Sequence, residues 1–315
     1  MLCVWVLSGW LAGCAQLVPQ TVALRTAWPQ GVPQTVELPS VPFFPQVDYQ
    51  CGPAALATAL NYSGVPITPD PLVSEVFLPA RQGSLQIEML AAPRHHGRVS
   101  YPLARRYADL LREVAAGNPV IVLQDVGLMF TQWHYAVVYG FDYPSGTLYL
   151  RSGTQPRQEL PFTAFERTWI ASGYWAMVVT PPERIPATAT EDGWIAAVLA
   201  IARIDRGDAA RRAYAAALKR WPDNLPAAIG LANDYHDRGD LAPAVAVLRE
   251  ARRRHPQSVI VINNLAQTLS DQGHNAEALA QIRQIADPGT AFAAEVRATR
   301  ELILQRISQS RSGNR

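Results

Sequence analysis

Cys51, Gln46 and His134 are the residues of this 315-residue chain whose types and spacing point to covalent chemistry. Cys51 stands in "PQVDYQCGPAALATAL", where a helix-forming run begins. Three roles are open to it: a small buried hydrophobe, a metal ligand or a nucleophile. A thiolate nucleophile needs its charge stabilised. Unpaired N–H groups and the dipole at a helix N-terminus do that, so a depressed thiol pKa is expected. A proton carrier is also needed, usually histidine. His95 and His96 lie in the polar stretch "PRHHGR" and read as exposed loop residues. His134 opens an apolar run between Trp133 and Tyr135, where a sheet can fix it. Acyl transfer requires donors for an oxyanion. The Gln46 side chain and the Cys51 backbone N–H are the candidates, and Gly52 lets a substrate approach the backbone closely.

The elements that must hold these residues are legible around them. "CGPAALATALNYSG" has Pro just inside its start and Gly at its end, the pattern of a helix. "ITPDPLVSEVF" and "GSLQIEMLAAPRHHG" read as short helices, and "PLARRYADLLREVAAGN" as an amphipathic one closing at Gly117. Strands are expected at residues 119–125, 134–142 and 147–153, the last two paired across "YPSG". A short helix, "LPFTAFERTW", and a final strand, "GYWAMVVTP", follow. Helices first and then an antiparallel sheet make an α+β arrangement.

Composition excludes little but is informative at the N-terminus. The chain is 49% hydrophobic and 17% charged, with a formal charge of +2, too small to imply a nucleic-acid partner. The basic run at 249–256 falls in a helical pattern and reads as a solvated face. There are three cysteines, Cys3, Cys14 and Cys51. The first two lie in "MLCVWVLSGWLAGCAQL", too short for a bilayer span of ~20 residues and similar to a signal-peptide core. No Lys or Arg precedes it. "LAGC" resembles the lipobox of bacterial lipoproteins, which implies a signal peptide over 1–13 and lipidation at Cys14. Ala15 after the cysteine implies the outer membrane, facing the periplasm. Cys51 then remains as the one free thiol. Structural zinc sites take several clustered Cys or His ligands, so neither metal nor cofactor is expected.

Residues 14–38 are rich in Pro, Gln and Thr, with "VPQTV" at 18–22 and again at 32–36. They read as a tether running into an edge strand. Residues 183–191 read as a linker. The remainder, 192–310, has almost no strand signal and repeats at a period of 34. Pro222 and Pro256 correspond, as do Leu231 and Leu265, Gly239 and Gly273, and Ala244 and Ala278. The pattern resembles the tetratricopeptide repeat. One complete unit precedes Pro256, a second starts at Val259, and a degenerate third precedes Pro222.

"FPQVDYQCGPAAL" followed by "WHYAVVYG" resembles the papain-like cysteine peptidases that process bacteriocin leaders after a double glycine, and covers residues 39–182. The resemblance implies a papain-like cysteine peptidase domain, followed here by an all-α repeat domain. It implies Cys51 as nucleophile, His134 as general base and acid, and Gln46 as oxyanion donor. The family carries an Asp on the strand after the histidine. Here "LRSG" places Ser152 near that position. Asp142 lies eight residues along the strand from His134, roughly 26 Å at ~3.3 Å per residue, too far to orient it. Two functions are expected from different classes. One is a lipid-anchored peptidase acting on a peptide or protein, with repeats that recruit a protein partner. The other is a non-catalytic binding lipoprotein on the same fold, favoured by the missing acid.

Overall fold

The computed structural model describes residues 18–46, 50–204 and 207–312. The signal peptide and Cys14 lie outside the described residues. Contacts divide the chain into two compact units between Ala209 and Ala210.

The first unit is built on a seven-stranded antiparallel sheet in the order β2-β7-β3-β4-β5-β6. The strands are β1 (Thr35–Glu37), β2 (Val99–Pro102), β3 (Val120–Asp125), β4 (Trp133–Asp142), β5 (Thr147–Ser152), β6 (Gln155–Pro161) and β7 (Ala176–Thr180). β1 continues the position of β3 along β4, pairing Val36 with Phe141. Gly140 makes this possible. It sits at a bulge of β4, and a Cβ there would lie 2.8 Å from the Val36 carbonyl.

Helices α2 (Cys51–Tyr62), α3 (Pro69–Val76) and α4 (Gln86–His95) cover one face of the sheet. Leu56, Leu60, Leu72 and Met89 pack there on Tyr135, Val137 and Tyr139. Along α2, Gly52 to Leu60 are all buried, so its small residues let the helix lie close against the strands. On the other face α5 (Tyr107–Ala115) and α6 (Phe162–Trp169) meet in an aromatic cluster of Tyr107, Phe162, Phe165 and Trp169. The strands expected at 119–125, 134–142 and 147–153 are present. β2 and β6 were not expected. Each is an edge strand, β2 has only four residues, and β6 carries a proline at either end, positions that edges tolerate.

The stretch read as a tether is part of this unit. Residues 19–26 form helix α1 (Pro19–Thr26), because Pro19 occupies the first turn, where a missing N–H costs nothing. The buried Glu166 carboxylate accepts the Gln20 and Thr21 N–H groups at 2.9 and 2.6 Å, and Trp28 packs on Phe141 and Tyr143. A buried carboxylate needs such partners. The expected linker is likewise pinned. The Glu113 carboxylate, also buried, accepts the Thr188 N–H and hydroxyl, both at 2.6 Å. The next helix, α7 (Glu191–Ala202), packs on β2 with Trp194 fully buried. It therefore belongs to the first unit by its contacts, not to the repeats.

The second unit is all helical: α8 (Ala209–Arg220), α9 (Leu225–Asp237), α10 (Leu241–Arg254), α11 (Val259–Asp271), α12 (Asn275–Ile282) and α13 (Gly289–Ser312). The period of 34 has a physical basis. Leu231, Leu265, Ala244 and Ala278 are all buried. Gly239 and Gly273 adopt φ of 80° and 85° just past α9 and α11, the left-handed conformation that ends a helix. The long α13 packs on α11 and α12 through Val296 and Ile303 and caps the stack.

Candidate active site

Cys51, Gln46 and His134 line one cleft of about 950 Å³ in the first unit. One wall comes from residues 81–86, the other from 131–135, with Gly153, Ala171 and Ser172 completing it. Each element delivers its residue for a local reason. Cys51 is the first residue of α2, at the helix's unpaired N–H groups. His134 is held at the start of β4 opposite Gln124 of β3. Gln46 is fixed by its own N–H on the Gly153 carbonyl at 3.0 Å. His95 and His96 are elsewhere. They close α4, and His96 pairs with Glu75 at 2.9 Å.

Ser152, the last residue of β5, is 6% exposed and its hydroxyl lies 2.9 Å from His134 Nε2. Nδ1 is then the ring nitrogen left to meet a proton from the cleft. For Nδ1 to accept, Nε2 must carry the ring proton and donate it to the Ser152 oxygen. A serine in this place can orient the ring. It offers no negative charge to a protonated ring. Ser152→Ala is expected to lower kcat/KM about 3- to 10-fold, the worth of one neutral hydrogen bond. Ser152→Asp is expected to move the acid limb of the pH profile upward. An alanine-like profile for Ser152→Asp would show that the position does not reach the ring electrostatically.

The electrostatics correct one expectation. Burial pushes the Cys51 thiol up, and the N–H groups of Tyr135, Gly52 and Cys51 itself pull against it without prevailing. Burial also holds the His134 imidazolium below the usual histidine range. Both shifts favour the neutral forms of the thiol and the imidazole. The helix N-terminus was expected to depress the thiol, but desolvation by packing is the larger effect.

Tyr135 was not foreseen. Its N–H faces the Cys51 sulfur, its carbonyl accepts from Gln46 Nε2 at 3.3 Å, and its hydroxyl donates to the Ser84 carbonyl at 3.2 Å. One residue thereby ties Cys51, Gln46 and the opposite wall together. Gln46 keeps a second amide proton for an oxyanion, beside the Cys51 N–H. Gly52 is sterically required, since a Cβ there would sit 2.2 Å from Ser84 Oγ. Tyr135→Phe frees the 78–85 wall and leaves the backbone contacts. We expect KM to rise about five-fold with kcat and the rate of Cys51 alkylation unchanged. A fall in kcat alone would contradict this positioning role.

Among the described residues, no cluster of three or more His, Cys, Asp or Glu is arranged to hold a metal. Residues 38–177 match the Peptidase_C39 like family, and residues 205–260 match the tetratricopeptide repeat. Three solved structures resemble the first part of the chain. A putative C39-like peptidase from Bacillus anthracis is 19% identical, covers 47% of this chain and 98% of its own, and has a TM-score of 0.40. The peptidase domain of Streptococcus ComA, a bi-functional ABC transporter of a quorum sensing pathway, is 22% identical, with coverages of 45% and 98% and a TM-score of 0.37. A double glycine motif protease from an AMS/PCAT transporter, in complex with the leader peptide, is 20% identical, with coverages of 46% and 93% and a TM-score of 0.34. No curated relative matches. Residues 38–177 therefore form a domain of the Peptidase_C39 like family, carried in one chain with tetratricopeptide repeats.

Proposed function

We propose that the first unit is a cysteine peptidase that cleaves a peptide or protein substrate. The observation that carries this reading is the convergence of Cys51, His134 and Gln46 on one cleft, with Ser152 on the far nitrogen of the imidazole. In this reading His134 Nδ1 takes the thiol proton as the sulfur attacks the scissile carbonyl. The carbonyl oxygen, now negative, is held by the Cys51 N–H and the free Gln46 amide proton. The imidazolium gives its proton to the leaving amine, leaving a thioester that water hydrolyses with the same imidazole as base.

The pH profile follows from the two shifts. The base must be neutral, and its pKa is lowered, so the acid limb of kcat/KM falls below the ordinary ~6.5 of histidine. The thiol needs no prior ionisation, so no alkaline limb arises from Cys51. An acid limb above ~7 would contradict a buried, carboxylate-free base.

The repeats serve in this reading to recruit a protein partner or substrate, as stacked helical surfaces commonly do. Cys14 is the proposed lipidation site, with the protein on the outer membrane facing the periplasm; the support is "LAGC" after an apolar run. Fatty-acid labelling lost in Cys14→Ser tests it. The raised thiol and the serine in place of an acid favour a second reading, a binding module without turnover. A peptide-based acylating probe separates the two. Covalent capture at Cys51, slowed at least ten-fold by His134→Ala, supports the enzyme; capture no faster than by free cysteine supports the binding module.

A further inference from the structure

The loop between β3 and β4 exposes three consecutive large apolar side chains. Leu128 is 102% exposed, Met129 87% and Phe130 84%. Runs of this kind on a water-facing surface mark an interaction site. The loop is built to hold them out. The Asp125 carboxylate accepts the Gly127 and Gln132 N–H groups at 3.1 and 2.8 Å, and the Val126 N–H bonds the Gln132 carbonyl at 2.9 Å. Gly127 closes the turn so tightly that a Cβ would overlap the Phe130 carbonyl. The backbone is pinned at its base, and the apolar tip has nothing to fold back on.

The shape of the tip selects its occupant. A groove or pocket recognises a polypeptide side chain by walls around it. Leu128, wholly exposed, offers no wall. A convex apolar tip fits instead a medium that closes around it, the acyl region of a bilayer.

The surroundings point the same way. The chain enters the described fold at α1, which begins at Pro19. The start of α1 is fixed beside Arg105, whose carbonyl accepts from Gln20 Nε2 at 3.1 Å. The Arg105 guanidinium lies over Gly173, next to Ala171 and Ser172 of the cleft. Thr131, Gln132 and Trp133, which end the apolar loop, line the same cleft. The chain's entry point and the apolar tip therefore share the cleft end of the unit. Arg105 and Arg167 are exposed there and suit anionic headgroups, whereas the Arg106 guanidinium is held by the Asp109 carboxylate at 2.6 Å.

We propose that Leu128, Met129 and Phe130 insert into an anionic bilayer, so that the cleft mouth faces the membrane surface. This contact is distinct from lipidation at Cys14 and does not rest on peptidase activity.

The test uses the full chain in vesicles of phosphatidylethanolamine and phosphatidylglycerol. Phe130→Trp adds an indole to the eight tryptophans of the parent, read as a difference spectrum. Position 130 is exposed, so the substitution disturbs no packing. The added emission is expected at a blue-shifted maximum, reduced about two-fold or more by bromine on the lipid acyl chains. Ile87→Trp, in the first turn of α4 next to the opposite wall, is expected to stay water-exposed and unquenched. The proposal is overturned by a Phe130→Trp signal that keeps its water-exposed maximum with brominated lipid. It is also overturned by a signal that shifts only when a polypeptide is added without vesicles, since the tip would then contact substrate.

Discussion

In the proposed peptidase, Cys51→Ala is expected to abolish peptide cleavage, with kcat reduced on the order of 10⁴-fold or more, while the fold is retained. Removing a nucleophile removes the covalent route, and the residual rate is what the oxyanion donors and binding alone supply. The substitution is mild on structure. Cys51 sits at the first position of α2 and makes no disulfide, and alanine is the best helix former. Substrate affinity, measured by titration with a labelled peptide, is expected to change less than about three-fold, because the thiol contributes one buried sulfur to a cleft of many residues. Turnover by Cys51→Ala above a hundredth of the parent rate would mean that another group attacks the bond.

His134→Ala has the second-largest expected effect, and its signature is a changed pH dependence. With the imidazole neutral at rest, the parent reaches near-maximal kcat/KM once pH exceeds the lowered histidine value. Without the imidazole, the thiol must ionise by itself. Its pKa is raised above 9.0 by burial, so only a small thiolate fraction exists at neutral pH. We expect kcat/KM to fall about 10³-fold at pH 7, and the residual activity to climb about ten-fold per pH unit through the neutral range. Parallel pH profiles for His134→Ala and the parent would remove His134 from the proton transfer.

What was legible before the structure, and what was not, divides along physical lines. The helix after Cys51, the strand after His134 and the repeat period each leave a local signature. These are a proline in the first turn, a run of aromatic residues and valine, and buried Leu and Ala recurring every 34 residues. Helix α1 was missed because proline was read as a breaker, though Pro19 falls at the one helical position that tolerates it. Its stability comes from Glu166, 145 residues away from Thr21. The linker and α7 were misplaced for the same reason, since Glu113 reaches Thr188 only once the chain has folded.

The site shows the same split. Residue types identified Cys51, Gln46 and His134, and the resemblance placed Ser152, whose hydroxyl the structure sets beside the imidazole. Tyr135 escaped because two of its three contributions come from its backbone, which no side-chain type announces. The direction of the thiol shift escaped because it is a contest. Helix N–H groups lower the value and burial raises it, and burial is a property of packing that a dipeptide motif does not carry.

Whether Cys51 cleaves peptide bonds decides the function of the first unit. The most direct measurement is a survey of new amino termini, by mass spectrometry, after the purified chain is incubated with a mixture of unfolded proteins. The account predicts a defined set of new termini made by the parent and absent with Cys51→Ala. Identical sets of termini from the two proteins would contradict it and leave the cleft as a binding site.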